Sequence, residues 1–177
     1  MIILVNSYLI LMPLLPVFLS HGSSGHGALS TPKLTQKLTT PAPPNTPNQL
    51  IIPSIHYDEQ IIEGSTIRAL HYGPWRQPVG SAPDKGSNTV IAGHRFTYTN
   101  PHGTFYYLNN VRVGDSVGVI WNNKTYHYTV ASTSVVSPDD TSVIAPTATS
   151  QLTLYTCTPL WLPKNRLVVV ATLESVS

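Results

Sequence analysis

From about residue 49 onward the chain breaks into short apolar runs separated by turn-forming residues, with alternation of apolar and polar positions inside several runs. A period of two over four to eight residues marks strands with one buried face, whereas a helix repeats its apolar residues every three or four. The pattern predicts strands at residues 50–55, 89–93, 116–121, 125–136, 151–156 and 167–173. Asn122-Asn123 falls between two of these and suits a hairpin turn, because Asn tolerates positive φ. Helical signal is confined to residues 64–70 and 102–109, each enough for a turn or two. Short strands at this spacing give a barrel or sandwich, so residues 49–177 are expected to form one all-β domain.

The N-terminal part has a different texture. Residues 2–19 are nearly all apolar, interrupted by Asn6, Ser7, Pro13 and Pro16, and reach the ~18–20 residues that a spanning helix needs. Residues 1–19 are therefore expected to be a membrane anchor or signal segment. The anchor is preferred because Gly27-Ala28-Leu29-Ser30 makes only a mediocre cleavage site. The positive-inside rule gives no orientation, since the first basic residue is Lys33. Residues 20–48 are rich in Pro, Thr, Ser and Gly, include Pro41-Ala42-Pro43-Pro44, and offer little to bury, so they read as a disordered linker.

Charge narrows the function. Charged residues make up 10% of the chain and basic side chains exceed acidic ones by two, which is no electrostatic footprint for nucleic acid. A single cysteine, Cys157, rules out an internal disulfide and a thiolate zinc framework. A lone cysteine is commonly a small buried hydrophobe. Here, however, residues 151–156 and 167–173 are separated by a loop containing Pro159 and Pro163, and their simplest arrangement is an antiparallel pair. That pairing puts Cys157 and Arg166 at the same end. Alternation sends Thr153, Tyr155 and Cys157 to one face and Leu152, Leu154 and Thr156 to the other.

A cysteine nucleophile works as its thiolate and needs a cation nearby and a general acid for the leaving amine. Arg166 is permanently charged and can hold a carbonyl oxygen as it becomes an oxyanion. His94 follows Gly93 at a strand end, with glycine giving the backbone latitude to approach a ligand, and a histidine there is placed for proton transfer. Arg95 is the rival clamp, but a side chain next to His94 points to the opposite face, so Arg166 is preferred. A cysteine and a histidine far apart in sequence also arise by chance, and spacing alone leaves both explanations open.

Resemblance narrows it further. Thr153-Leu154-Tyr155-Thr156-Cys157 resembles the TLxTC signature of sortases at every fixed position, and Arg166-Leu167-Val168-Val169-Val170 is similar to the strand carrying the family's catalytic arginine. Val90-Ile91-Ala92-Gly93-His94-Arg95 resembles the segment ending in the sortase histidine. Ile52-Pro53-Ser54-Ile55 with Glu63-Gly64, and the stretch 105–108 followed by Val113-Gly114-Asp115, fit the family in order. The resemblance covers residues 50–173. It implies an eight-stranded β-barrel with short helical turns and a thioester between Cys157 and the threonine of an LPxTG-like motif. It further implies release by an amine, on a cell-wall peptide or a pilin lysine. It casts Cys157 as nucleophile, His94 as acid then base, and Arg166 as clamp and oxyanion stabiliser, with no metal or organic cofactor.

Gly93-His94-Arg95-Phe96-Thr97-Tyr98 looks most like class E, with class D close; Phe96 departs from the small polar residue expected there. The class E likeness implies that Tyr98 contacts the second residue of an LAxTG-like motif. Thr156, beside the nucleophile, and Trp161, in the loop between Cys157 and Arg166, complete the substrate-binding candidates. Trp75 and Trp121 read as packing, and His56, His71, His102 and His127 as surface or packing residues, none at metal-ligand spacing from another. The expected partners are surface proteins with a C-terminal sorting motif and an amine acceptor, met outside the cytoplasm close to a single-pass anchor. Two other functions fit the same residues: a cysteine peptidase resolved by water, and a silent peptide-binding β-barrel with a structural Cys157.

Overall fold

A computed structural model of the chain describes residues 46–99 and 105–177. The expected anchor, nearly all of the linker, His102 and the first residues of the expected helical turn at 102–109 lie outside the described residues.

The first strand, β1 (Gln49–Ile52), stops three residues before the sequence pattern does. Pro53 has no N–H to give a ladder, and the chain instead makes a 3-10 turn, Pro53–Ile55, closed by His56 in the left-handed region at φ 55°. The turn reverses the chain into β2 (Tyr57–Gln60), antiparallel to β1. A two-residue β3 (Trp75–Arg76) precedes β4 (Asn88–Ala92), which is buried at all five positions. Next come β5 (Ser116–Trp121) and β6 (Lys124–Val136), joined by Asn122 and Asn123 at φ 49° and 63°. Two successive positive φ values are what a twisted two-residue hairpin turn requires. The last strands are β7 (Gln151–Thr158) and β8 (Asn165–Val176).

The eight strands form one sheet in the order β2-β1-β5-β6-β8-β7-β4-β3. Register shifts in the β6–β8 ladder at His127/Tyr128 and Val130/Ser132 bend these long strands and help the sheet curl. At its edges the segment after β2 meets β3: the Ile62 N–H donates to the Pro74 carbonyl at 2.8 Å and the Arg76 N–H to the Ile62 carbonyl at 3.0 Å. The fold is thus the expected all-β one, an eight-stranded sheet curled around its core, with helical structure among the described residues limited to 3-10 turns. Among the described residues no helix is long and apolar enough to cross a membrane.

Inside the curl, Leu50, Ile52, Val119, Leu152, Leu154 and Val169 are fully buried, together with Phe105 and Leu108 from the connection between β4 and β5. A second, smaller cluster of Ala69, Trp75 and Ala92, with Leu70 and Tyr155 packed on it, lies where the 3-10 turn Ile67–His71 covers the other face. The buried Asn88 is fully engaged. Its amide donates to the Val143 and Ala145 carbonyls at 3.1 Å each and its oxygen accepts from the Thr153 hydroxyl at 2.8 Å, tying the β6–β7 connection to the sheet.

Candidate functional site

β7 and β8 are antiparallel, and Cys157 stands directly opposite Arg166 in their register. Directly opposed residues share a face of the sheet, with Cβ atoms about 5 Å apart. Alternation along β7 runs as the sequence indicates: Leu152 and Leu154 enter the main core, while Tyr155 packs on the outer cluster around Trp75. Cys157, two residues on, is a half-buried free thiol.

His94 reaches the same place through a parallel pairing that local sequence does not announce. β4 runs alongside β7 with Ala92 opposite Tyr155, and the Gly93 N–H donates to the Tyr155 carbonyl at 3.1 Å, carrying the ladder one residue further. Continuing in that register, Gly93 is level with Thr156 and His94 with Cys157. Two more bonds fix the histidine backbone. The Phe105 N–H donates to the His94 carbonyl at 2.9 Å, and the Thr156 hydroxyl donates to the Gly93 carbonyl at 2.7 Å.

Gly93 is needed for a reason other than approach to a ligand. A Cβ there would lie 2.4 Å from Phe105 Cδ2, so a core aromatic ring occupies the space that a side chain would take. Thr156 is 1% exposed with its hydroxyl engaged by Gly93, so its contribution here is to anchor the loop that carries His94. Thr156→Val keeps the shape but leaves the Gly93 carbonyl without a partner. Urea unfolding is expected to show a loss of about 1–3 kcal/mol, and turnover to fall more than KM rises.

His94, Cys157 and Arg166 line one cleft of about 200 Å³ together with Trp75, Gln77 and Tyr155. The Gln77 amide donates to the Tyr155 hydroxyl, and burial pushes that phenol's pKa up. Beyond Arg166 a second cleft of about 150 Å³ is lined by Asp140, Thr141 and Ile144, so Arg166 and Tyr155 border both. Its wall is the 3-10 turn Thr141–Ile144, capped where the Ser142 N–H donates to Asp140 Oδ1 at 3.0 Å. The Ser142 hydroxyl also donates to Asp140 Oδ1, and this bond together with the backbone one holds the Asp140 carboxyl below its usual pKa.

The His94 imidazole binds its proton more weakly than a free histidine, first because it is partly buried and second because His71 is close. The two rings lie 5.7 Å apart between centroids at 41°. His71 reads as a surface or packing residue in the sequence, and nothing in its spacing links it to His94; the 3-10 turn Ile67–His71 makes the link.

Arg95 directs its guanidinium to Asn109 Oδ1 at 2.9 Å and Thr158 Oγ1 at 3.4 Å and is not among the residues lining the cleft. Tyr98 and Trp161 are 95% and 75% exposed and do not line it either. Both meet Phe96 edge-on, at 5.7 Å and 5.0 Å between centroids. Phe96 follows His94 by two residues and Trp161 follows Cys157 by four, so these rings join the loops leaving the two key positions. Trp121 is buried, and Trp75 donates its indole N–H to the Gly64 carbonyl at 2.9 Å. Among the described residues no three His, Cys, Asp or Glu side chains gather so as to hold a metal ion.

Comparison with known proteins agrees with this architecture. The Sortase domain family model matches residues 50–174. Sortase SrtE1 of Streptomyces coelicolor is 36% identical over 97 residues, 49% of this chain and 27% of that protein. Sortase D of Bacillus subtilis is 29% identical over 111 residues, 62% of this chain and 53% of that protein. The match thus spans about a quarter of the first relative and about half of the second. Among solved structures, sortase A of Listeria monocytogenes superposes with a TM-score of 0.65 at 25% identity, over 73% of this chain and 88% of that one. A lid mutant of Corynebacterium diphtheriae sortase A gives 0.67 at 28% identity, over 77% and 73%. With the matched region running from β1 into β8 and containing Cys157, His94 and Arg166, the chain belongs to the sortase family, a family of cysteine transpeptidases.

Proposed function

We propose that the chain is a cysteine transpeptidase that cleaves an LPxTG- or LAxTG-like sorting motif and passes the acyl group to an amine. The observation that carries this reading is the pairing of Cys157 with Arg166 across β7 and β8, with His94 in the same cleft. The Cys157 thiolate attacks the carbonyl of the motif threonine, and the electron pair that moves onto oxygen is met by the Arg166 guanidinium. His94 gives a proton to the departing glycine amine, leaving a thioester on sulfur. An incoming amine then loses a proton to His94 and displaces the sulfur. A new amide forms and the thiolate returns.

The acceptor is an amine of a cell-wall peptide or a pilin lysine, and the donors are surface proteins with a C-terminal sorting motif. The apolar stretch 2–19 and the Pro-rich segment after it support work outside the cytoplasm, beside the membrane. The test is product analysis. Motif peptide plus a glycine amine is expected to yield a conjugate. Free acid alone, with the amine in excess, would instead indicate a peptidase resolved by water.

Tyr98 is the proposed determinant of the second motif position, with Trp161 as a further peptide contact. Support comes from the Phe96-centred cluster that joins both rings to the loops leaving His94 and Cys157. Tyr98→Ala is expected to change the ratio of kcat/KM between LAxTG- and LPxTG-like peptides by several-fold, on the scale of one apolar contact. An unchanged ratio removes this role.

A further inference from the structure

His71 sits at the end of a turn that is fixed in place. Its neighbour Ala69 is buried against Trp75 and Ala92, and Gly64 lies so close to Ala69 that a Cβ on it would come within 2.7 Å of the alanine methyl. The Ala69 N–H donates to the Thr66 carbonyl and the Tyr72 N–H to the Ala69 carbonyl, both at 3.1 Å. Leu70, next to His71, lines the cleft. His71 is thus an exposed imidazole held on a rigid support with its ring against that of His94. The steps above use His94 and leave His71 without a task.

We propose that His71 is a positioning residue for His94 that sets where on the pH scale His94 holds its proton. The consequence for turnover rests on the transpeptidase reading; the coupling itself does not. Two imidazolium rings this close repel, so charge on His71 opposes charge on His94. The other ionisable groups facing His94 are Tyr155 and Cys157 from β7 and Arg166 from β8. Arg95, next in the chain, is turned toward Asn109 and Thr158, and Arg68 is on the same turn as His71.

Of all these groups, His71 is the one whose ring stands against that of His94, 5.7 Å away between centroids. The sign follows. A charged His71 works against an imidazolium at His94, while a neutral His71 permits it and leaves a water-exposed ring beside a partly buried one. This agrees with the weakened proton affinity of His94, to which His71 contributes after burial.

The test is an NMR titration of the full chain with labelled histidine, the His94 signal being identified by its loss in His94→Gln. Wild type supplies the reference His94 curve. His71→Gln, which cannot take up charge, is expected to give a single-step curve displaced to higher pH, and His71→Lys, which is always charged, a curve displaced to lower pH. The alkaline limb of the kcat/KM profile should move with each. Coinciding His94 curves in the three proteins, or displacement in the same direction by both substitutions, would overturn the proposal; the second pattern is that of a purely structural disturbance. Because the titration needs no substrate, failure of the transpeptidase reading leaves this result standing, and failure of the coupling leaves peptide transfer untouched.

Discussion

Cys157→Ala is expected to lower turnover of a sorting-motif peptide by on the order of 10⁴- to 10⁶-fold, the range seen when the nucleophile of a concerted site is removed. The thiol is half-buried, has no disulfide partner and stands at the end of β7, where truncation opens little space. Its thermal midpoint should therefore stay within a few degrees of wild type, as for a substitution costing about 1 kcal/mol or less. Cys157→Ser should be nearly as inactive, because a serine hydroxyl is not ionised at neutral pH and Arg166 and His94 are arranged to serve a thiolate. Turnover of the motif peptide surviving in either variant would mean that Cys157 is not the nucleophile, whereas no turnover by the wild type would return the site to the peptide-binding alternative. Peptide binding without turnover does not discriminate, since an acylation-dead enzyme also binds.

Arg166→Ala is expected to reduce kcat by about 10²- to 10³-fold, the cost of removing one donor from a developing oxyanion. The reasoning is geometric. Arg166 faces Cys157 across the β7–β8 ladder and borders both clefts, so its guanidinium can reach the oxygen of a carbonyl attacked by the sulfur. Arg166→Lys retains charge but loses the planar fork, and should recover only part of the lost rate. KM should rise as well if the same guanidinium holds the peptide in the ground state. Steady-state kinetics separate the two contributions: a fall in kcat alone marks oxyanion stabilisation, and a rise in KM alone marks a clamp with no part in the chemistry. Arg95→Ala provides the contrast, since that guanidinium is spent on Asn109 and Thr158 and should affect the loops more than the rate.

The elements that show in the sequence are those whose two faces meet different surroundings. β5 and β6 begin within a residue of where alternation puts them, because their inner side chains are buried while Asn122 and Asn123 supply the positive φ of the turn between them. β7 and β8 are long enough for the same rule to give their pairing, and with it the juxtaposition of Cys157 and Arg166. β2 and β3 do not show. The first is an edge strand, Tyr57–Gln60, with Asp58, Glu59 and Gln60 exposed, and edges carry polar residues whatever their backbone does. The second is only two residues long, and what makes it a strand is hydrogen bonding to β4 and to Ile62.

In the candidate site, the identities of Cys157, His94 and Arg166 are legible, since each residue type suits one step of thiol chemistry and the runs around them resemble the sortase pattern. What brings His94 to the other two is not. The parallel β4–β7 pairing, the Thr156 bond to the Gly93 carbonyl and the Phe105 ring over Gly93 each link residues far apart in the chain, and no local periodicity encodes such links. His71 escapes for the same reason. Its partner is supplied by the packing of Ala69 and Leu70 under the turn rather than by any spacing in the sequence.

The most direct test of the central claim is intact-mass analysis of the chain mixed with a motif peptide in the absence of amine, followed by addition of a glycine amine. The expected result is a mass increase equal to the acyl half of the peptide, mapped to Cys157, which disappears on addition of the amine as a conjugate of matching mass appears. An adduct mapped elsewhere, or one that clears only to free acid in excess amine, would contradict it.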